Sequence, residues 1–212
     1  MNNSNIPLCE KLRPTMLHAL NLEPNVEAML QRMIENSSIS NLLFYGKPGN
    51  GKTTTARVIM KAMNADIYEL NGSNVISDQT LIKQIENFAT SASFIDSPKI
   101  CFIDEADYLT MKVQTSLRNL IEKVSSNCRF IFTANNVNRF HAAIKSRFTR
   151  VDFDIMLFDY SLVIEKMVNH YEMNLPMHGY KFDDEIVRKN LRYYYPDFRA
   201  VANQFEIELE RI

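Results

Sequence analysis

Eight consecutive residues, Gly46-Lys47-Pro48-Gly49-Asn50-Gly51-Lys52-Thr53, constrain the fold of this chain more than any other segment. They fit the pattern G-x-x-x-x-G-K-T, a loop whose glycines leave backbone N–H groups free to surround phosphate oxygens. The pattern works only where a strand delivers the loop and a helix begins at its end, because the positive end of the helix dipole completes the cradle. Both neighbours are present. Asn41 to Tyr45 is a short apolar run that reads as a buried strand, and Lys52 to Met63 reads as a helix. Gly46, Pro48, Gly49, Asn50 and Gly51 therefore form the candidate phosphate loop, with Thr54 beside it. Lys52 is placed to reach β- and γ-phosphates, and Thr53 to give its hydroxyl to Mg²⁺. The competing reading is a plain glycine turn ahead of a helix.

The same alternation continues downstream. Strands are expected at Asp66 to Leu70, Lys99 to Asp104, Cys128 to Thr133 and Arg150 to Phe153. Helices are expected at Asp78 to Thr90, Met111 to Val124 and Arg139 to Lys145, and an earlier one at Leu22 to Glu35 has Pro24 near its first turn. Short apolar strands separated by helices imply an α/β fold, with a mostly parallel sheet flanked by helices on both faces. After Asp154 the strand signals stop, and Asp159 to Tyr171, Asp183 to Tyr194 and Asp197 to Arg211 read as three helices. The expected domains are residues 1–154, the phosphate-binding α/β unit, and residues 155–212, a small helical unit.

Composition narrows the function classes. With 46% apolar residues in 212, the chain can bury a substantial core. Lys plus Arg total 24 against 25 Asp plus Glu, so bulk electrostatics does not make this a nucleic-acid binder, and any such contact must come from a local patch. Cys9, Cys101 and Cys128 are too few and too scattered for a disulfide framework or a metal-ligand spacing. No apolar run reaches the roughly 18 residues that cross a bilayer, and Met1 to Pro7 lacks the regions of a signal peptide. The expectation is a soluble cytoplasmic protein with no membrane partner.

About fifty residues after the loop, Ile100-Cys101-Phe102-Ile103-Asp104-Glu105 is a buried strand ending in two carboxylates. Asp104 suits Mg²⁺, and Glu105 suits orientation or deprotonation of the water that attacks a γ-phosphate. A strand that simply exits to solvent through acids is the competing reading. A phosphotransferase does not need the second carboxylate, whereas a hydrolase does. Residues 104–107 also spell Asp-Glu-Ala-Asp, as in a class of helicases, but those motors need a second motor domain for which the chain has no room.

At this point the chain resembles the AAA+ ATPase subunits of sliding-clamp loaders, of the replication factor C small-subunit type, over nearly its whole length. Glu10-Lys11-Leu12-Arg13-Pro14 is similar to the family's Glu-Lys-Tyr-Arg-Pro, which packs against adenine, with Leu12 in place of Tyr. Leu70-Asn71-Gly72-Ser73 resembles the family's Leu-Asn-Ala-Ser, and Thr110 to Ile121, with Gln114, Leu117 and Arg118, resembles the helix that links DNA binding to the ATP site. Ile131-Phe132-Thr133-Ala134-Asn135 ends a strand as the sensor-1 segment does, which implies a polar contact from Asn135 to γ-phosphate or water; a turn cap is the alternative. Ser146-Arg147-Phe148 resembles the family's Ser-Arg-Cys, whose Arg acts as a finger on ATP held by a neighbouring subunit. Arg150 and a surface ion pair compete with Arg147 for that interpretation. Tyr195-Pro196-Asp197-Phe198-Arg199 looks like the sensor-2 segment, with Arg199 sensing phosphate or standing as an exposed first-turn residue. Phe88 to Phe94 and Ser125 to Cys128 further resemble T-even bacteriophage clamp-loader ATPase subunits, which implies a phage origin and a bacterial host cytoplasm.

The resemblance implies Mg²⁺-dependent ATP hydrolysis, a finger acting in trans, partner subunits, a sliding clamp and primer-template DNA held without sequence reading. The DNA contacts would come from Ser73 to Gln79 and Lys112, the last equally readable as a solvated lysine. Family members carry a further helical collar, and the chain ends at Ile212. That implies a truncation, assembly through ATPase interfaces, or a collar from another polypeptide. A helicase loader, a branch-migration motor and an ATP-gated scaffold with little turnover are the rival readings.

Overall fold

In a computed structural model, residues 6–74, 78–91, 97–154 and 160–212 are described. Five strands among them form one sheet: β1 (Leu42–Tyr45), β2 (Asp66–Asn71), β3 (Lys99–Asp104), β4 (Cys128–Ala134) and β5 (Thr149–Asp152). Their order is β2-β3-β4-β1-β5 and every neighbouring pair is parallel. The central strands β1, β3 and β4 are buried along nearly their whole length, as their continuous apolar runs require, while β2 and β5 at the edges are only partly covered. A parallel sheet sends the C-terminal ends of its strands to one rim, so the residues following Tyr45, Asp104, Ala134 and Asp152 meet there.

The helices α1 (Leu8–Lys11), α2 (Pro24–Glu35), α3 (Lys52–Ala62), α4 (Asp78–Thr90), α5 (Met111–Lys123) and α6 (Ala142–Lys145) accompany the sheet. Those after it are α7 (Tyr160–Asn174), α8 (Asp184–Tyr194) and α9 (Phe198–Glu208). Their starts follow from local chemistry. Glu23 caps α2 with Pro24 in its first turn, Thr110 accepts from the Val113 N–H at the head of α5, and Asp183 and Asp197 cap α8 and α9. The helix expected over Arg139 to Lys145 is instead a 3₁₀ turn at Val137–Arg139, an extended Phe140, and the single turn of α6. Gln114, almost wholly buried, enforces this break by donating to the Leu109 and Arg139 carbonyls while accepting from the His141 N–H. The expected helix start at Asp159 and the segment Ala92 to Phe94 lie outside the described residues.

Apolar side chains gather in three clusters. Leu43, Cys101, Ile103, Phe130 and Phe132 face α4 and α5 on one side of the sheet, and Leu42, Phe44, Ile100, Phe102 and Ile131 face α2 and α3 on the other. The third lies among α7, α8 and α9, and it takes in Leu8 and Leu12 from the start of an N-terminal strap, residues 8–22. The strap therefore packs with the last three helices although it precedes the sheet in sequence. Cys101 and Cys128 are buried, and burial pushes the Cys128 thiol up to about 11.

Phe148, where the resembled family has Cys, is a core residue. Its ring centroid lies 4.6 Å from that of Phe132, which also stacks on Phe140 at 6.3 Å. Phe148→Ala is expected to lose about 3 kcal/mol of stability through lost contact and a residual cavity. Urea unfolding checks this, and a loss below about 1 kcal/mol would remove the ring from the core.

Candidate functional site

The rim opens into a cleft walled by the phosphate loop, the ends of β3 and β4, the strap from Cys9 to Leu22, and helices α7 and α9. Pro48, Gly49, Asn50, Gly51, Lys52, Thr53 and Thr54 line it, with Asp104, Glu105, Asn135, Arg13, Pro14 and Arg199. The cleft is open to solvent. Gly46 lies just behind the loop, its N–H bonded to the Ala134 carbonyl at 3.2 Å.

The loop is held from three directions. Lys52 Nζ donates to the Gly46 carbonyl (2.8 Å), the Lys47 carbonyl (2.7 Å) and Asn50 Oδ1 (3.2 Å), which folds the loop around its own lysine. Asp154, just beyond β5, accepts from the Lys47 N–H at 2.8 Å and from Asn50 Nδ2 at 3.3 Å. The head of α9 closes the third side, where the Phe198 N–H donates to the Gly49 carbonyl at 3.2 Å. Gly49 has φ of 80°, and a Cβ there would stand 2.0 Å from Asp197 Oδ1, so neither the backbone nor the space admits a side chain.

The acidic strand end is tied to the same loop. Thr53 Oγ1 donates to Asp104 Oδ1 at 2.9 Å. Thr133 Oγ1 donates to the same oxygen and accepts from the Glu105 N–H at 2.9 Å. Glu105 has φ of 53°, a left-handed conformation that costs a non-glycine residue about 1 kcal/mol or more. Gly72 makes room for it: a Cβ on Gly72 would fall 2.5 Å from the Glu105 carbonyl oxygen.

Asn135 is exposed and faces the cleft, whereas the capping that competed for it falls to Asn136, whose side chain accepts from the Asn138 N–H. Arg13 reaches across to α3, donating to Thr54 Oγ1 at 3.2 Å and to Glu10 at 2.5 Å. Arg199 is exposed in the first turn of α9 and lines the cleft. Arg147 does not join them. It pairs with Glu122 and donates to the Ala143 carbonyl, and its own carbonyl accepts from Asn41 Nδ2 at the opposite end of β1 from the loop. Arg150 is exposed on β5. Ser73 gives its N–H and hydroxyl to Asn71, and Lys112 is exposed at the start of α5. Sequence reasoning passed over Thr133 and Asp154 as site residues. Thr133 lies within the Ile131–Asn135 strand end, and Asp154 lies at the expected domain boundary.

Burial lowers the Lys52 pKa from its ordinary 10.5 to about 8, against the pull of Asp154, Asp104 and Asp107. Its folded value lies below its unfolded one, so the folded chain binds fewer protons between those values and Lys52 adds stability as pH rises through that window. The stability advantage of Lys52→Met over wild type should therefore shrink by about 2 kcal/mol between about pH 8 and about pH 10, measured by urea unfolding. A pH-independent difference would contradict the burial of a charged Lys52.

A family model described as "ATPase family associated with various cellular activities (AAA)" matches residues 42–157. Replication factor C subunit 3 of Schizosaccharomyces pombe is 34% identical over 175 residues, covering 80% of this chain and 50% of that protein. Replication factor C small subunit 2 of Pyrobaculum islandicum is 28% identical over 204 residues, covering 93% and 62%. The chain thus spans about half the length of the first of these relatives. Among solved structures, the RuvB Holliday junction branch migration motor of Thermotoga maritima aligns with a TM-score of 0.69 at 19% identity, covering 92% of this chain and 64% of that one, and so shares the fold. None of these relatives bears on the phage resemblance. A nucleotide-type loop on a parallel sheet, an acidic strand end bonded to it, and a family match over more than half of the residues lead to one assignment: the chain belongs to the AAA family of ATPases.

Proposed function

We propose that the chain binds ATP in this cleft and hydrolyses it as a subunit of a sliding-clamp loader, coupling turnover to clamp placement on primer-template DNA. The observation that carries the reading is the bonded set Thr53, Asp104, Thr133 and Glu105 beside the phosphate loop. The similarity to replication factor C subunits supports the clamp-loader part.

Lys52 and the backbone N–H groups from Gly49 to Thr53 would take the phosphates, Lys52 exchanging its loop carbonyls for phosphate oxygens. Arg13 and Pro14 would border the base and Arg199 would approach the phosphates from α9. The donor set at Thr53 and Asp104, a hydroxyl and a carboxylate, is chemically suited to Mg²⁺. No cluster of three or more acidic, histidine or cysteine ligands exists among the described residues. An ion held there would neutralise charge developing on the transferred phosphoryl group. Glu105 is the candidate for orienting and deprotonating the attacking water, with its backbone fixed by Thr133, and Asn135 for the polar contact at the γ-position.

Arg147 sits at the far end of β1 from the loop, so a role as finger requires ATP held by an adjacent subunit. Its exchange of Glu122 for phosphate would accompany assembly. Residues 1–154 and 155–212 are read as ATPase and lid, with Leu8 and Leu12 of the strap bridging into the lid core. DNA contacts are assigned to the region from Ser73 to Gln79 and to Lys112; residues 75–77 lie outside the described residues. None of the described helices is long and apolar enough to cross a membrane.

The test is steady-state phosphate release with ATP, with and without primed DNA, a candidate clamp and partner subunits. Glu105→Gln should retain ATP binding and lose about 10²- to 10⁴-fold in turnover. Arg147→Ala should retain binding and lose about 10³-fold or more, only in the assembled state. Turnover unaffected by Glu105→Gln would sink the hydrolytic assignment. Absence of stimulation by clamp and DNA in assembled material would leave an ATPase of another AAA function.

A further inference from the structure

We propose that Asp107 is a positioning residue for hydrolysis: by holding the backbone just after Asn135, it aims the Asn135 amide into the cleft. The inference rests on the reading of the cleft as an ATPase site and deepens it.

Asp107 is the last residue of the Asp-Glu-Ala-Asp run, and none of the roles given to Thr53, Asp104 and Glu105 uses it. Asp104 and Glu105 line the cleft, whereas Asp107 is buried, with 5% of its surface exposed. After the left-handed Glu105, a 3₁₀ turn at Ala106–Tyr108 carries the Asp107 side chain to the end of β4, where its Oδ2 accepts from the Asn136 N–H at 3.2 Å. The reach is short because β3 and β4 are paired in parallel and end side by side.

Burying a carboxylate there is costly. One of its oxygens, Oδ1, is buried without a partner. A charge taken out of water and only half satisfied lowers stability relative to a neutral side chain of similar size, so a contribution to folding does not account for it. What the charge adds is a stronger bond to the Asn136 N–H than a neutral acceptor makes.

Asn135 lies between two peptide groups, each planar and rigid. The group before it carries the Ala134 carbonyl, which accepts from the Gly46 N–H at 3.2 Å, and the group after it carries the N–H held by Asp107. Tying down both planes fixes the two backbone dihedrals of Asn135 and with them the direction of its side chain. One tie comes from the phosphate loop and the other from the acidic strand end. Asn135 is exposed on the cleft wall, so these backbone bonds, rather than packing, set its aim. A misplacement of about 1 Å at a reacting group can cost about 10²-fold in rate.

Steady-state phosphate release and equilibrium ATP binding by the full chain in the assembled state test this, with Asp107→Ala, Asp107→Asn, Asn135→Ala and the double variant D107A/N135A. Asp107→Ala should lower kcat about tenfold or more with ATP affinity within about twofold of wild type, and Asp107→Asn, which keeps an acceptor, should stay within about threefold. The double variant should be no slower than Asn135→Ala alone, because both changes remove one function. Amide hydrogen exchange at Asn136 should be slow in wild type. The inference is overturned by a kcat for Asp107→Ala within about twofold of wild type, by ATP affinity falling as far as kcat, or by Asp107→Asn as slow as Asp107→Ala. Losses that multiply in the double variant would also overturn it, as would a rapidly exchanging Asn136 amide in wild type, which needs no variant to fold. Wild-type turnover in Asn135→Ala would instead overturn the role given to Asn135, on which the inference rests.

Discussion

The parallel register of the sheet is the constraint on which the site depends. Asp104 ends β3, Thr133 lies near the end of β4, and the phosphate loop follows β1; in-phase pairing of β3 with β4 and β4 with β1 delivers all three to one rim. There the interaction is short-range and exacting. One carboxylate oxygen of Asp104 accepts from both Thr53 and Thr133, and Thr133 also receives the Glu105 N–H. Shifting any of these strands by one residue would turn the side chains to the opposite face and dissolve the set. The buried apolar runs of β1, β3 and β4 therefore do more than stabilise the fold, because their burial is what prevents such a shift.

A second dependence joins the loop to the last three helices. The Gly49 carbonyl accepts from the head of α9, and Asp197, which caps that helix, stands where a Gly49 side chain would go. From the other side, Lys166 and His170 on α7 hold the strap carbonyls of Leu20 and Leu12. The cleft is thus closed by contacts between segments far apart in sequence. The loop contacts the N-terminus of α9, and Leu8 and Leu12 of the strap share a core with Tyr171 and Phe205 of the last helices.

Much of this was legible in the residues. The loop pattern and the carboxylate pair located the cleft because both chemistries demand particular residue types at fixed spacing, and apolar runs located the strands because burial demands them. What stayed hidden depends on distance in space rather than in sequence. Asp154 follows β5, and nothing about it foretells that its carboxylate will accept from the Lys47 amide. The break at Phe140 comes from Gln114, some 25 residues earlier, reaching the backbone on both sides of it. The short strap helix escaped notice because one turn has no periodicity to detect.

Arg147 carries the last step. Its backbone is bonded to Asn41 at the start of β1, while the phosphate loop leaves the end of that strand, so about 13 Å of sheet separates them. A side chain that also serves Glu122 and the Ala143 carbonyl, with its Nε buried and unpaired, is not in a relaxed surface position. An unpaired buried guanidinium nitrogen is costly, and a second chain offering an anionic group at that face would satisfy it. Under the proposed finger role, the phosphate cradle and Arg147 of one chain lie at opposite rims of the sheet. On that proposal the two would meet only between chains, the loop of one facing the Arg147 rim of the next, a heterologous head-to-tail contact.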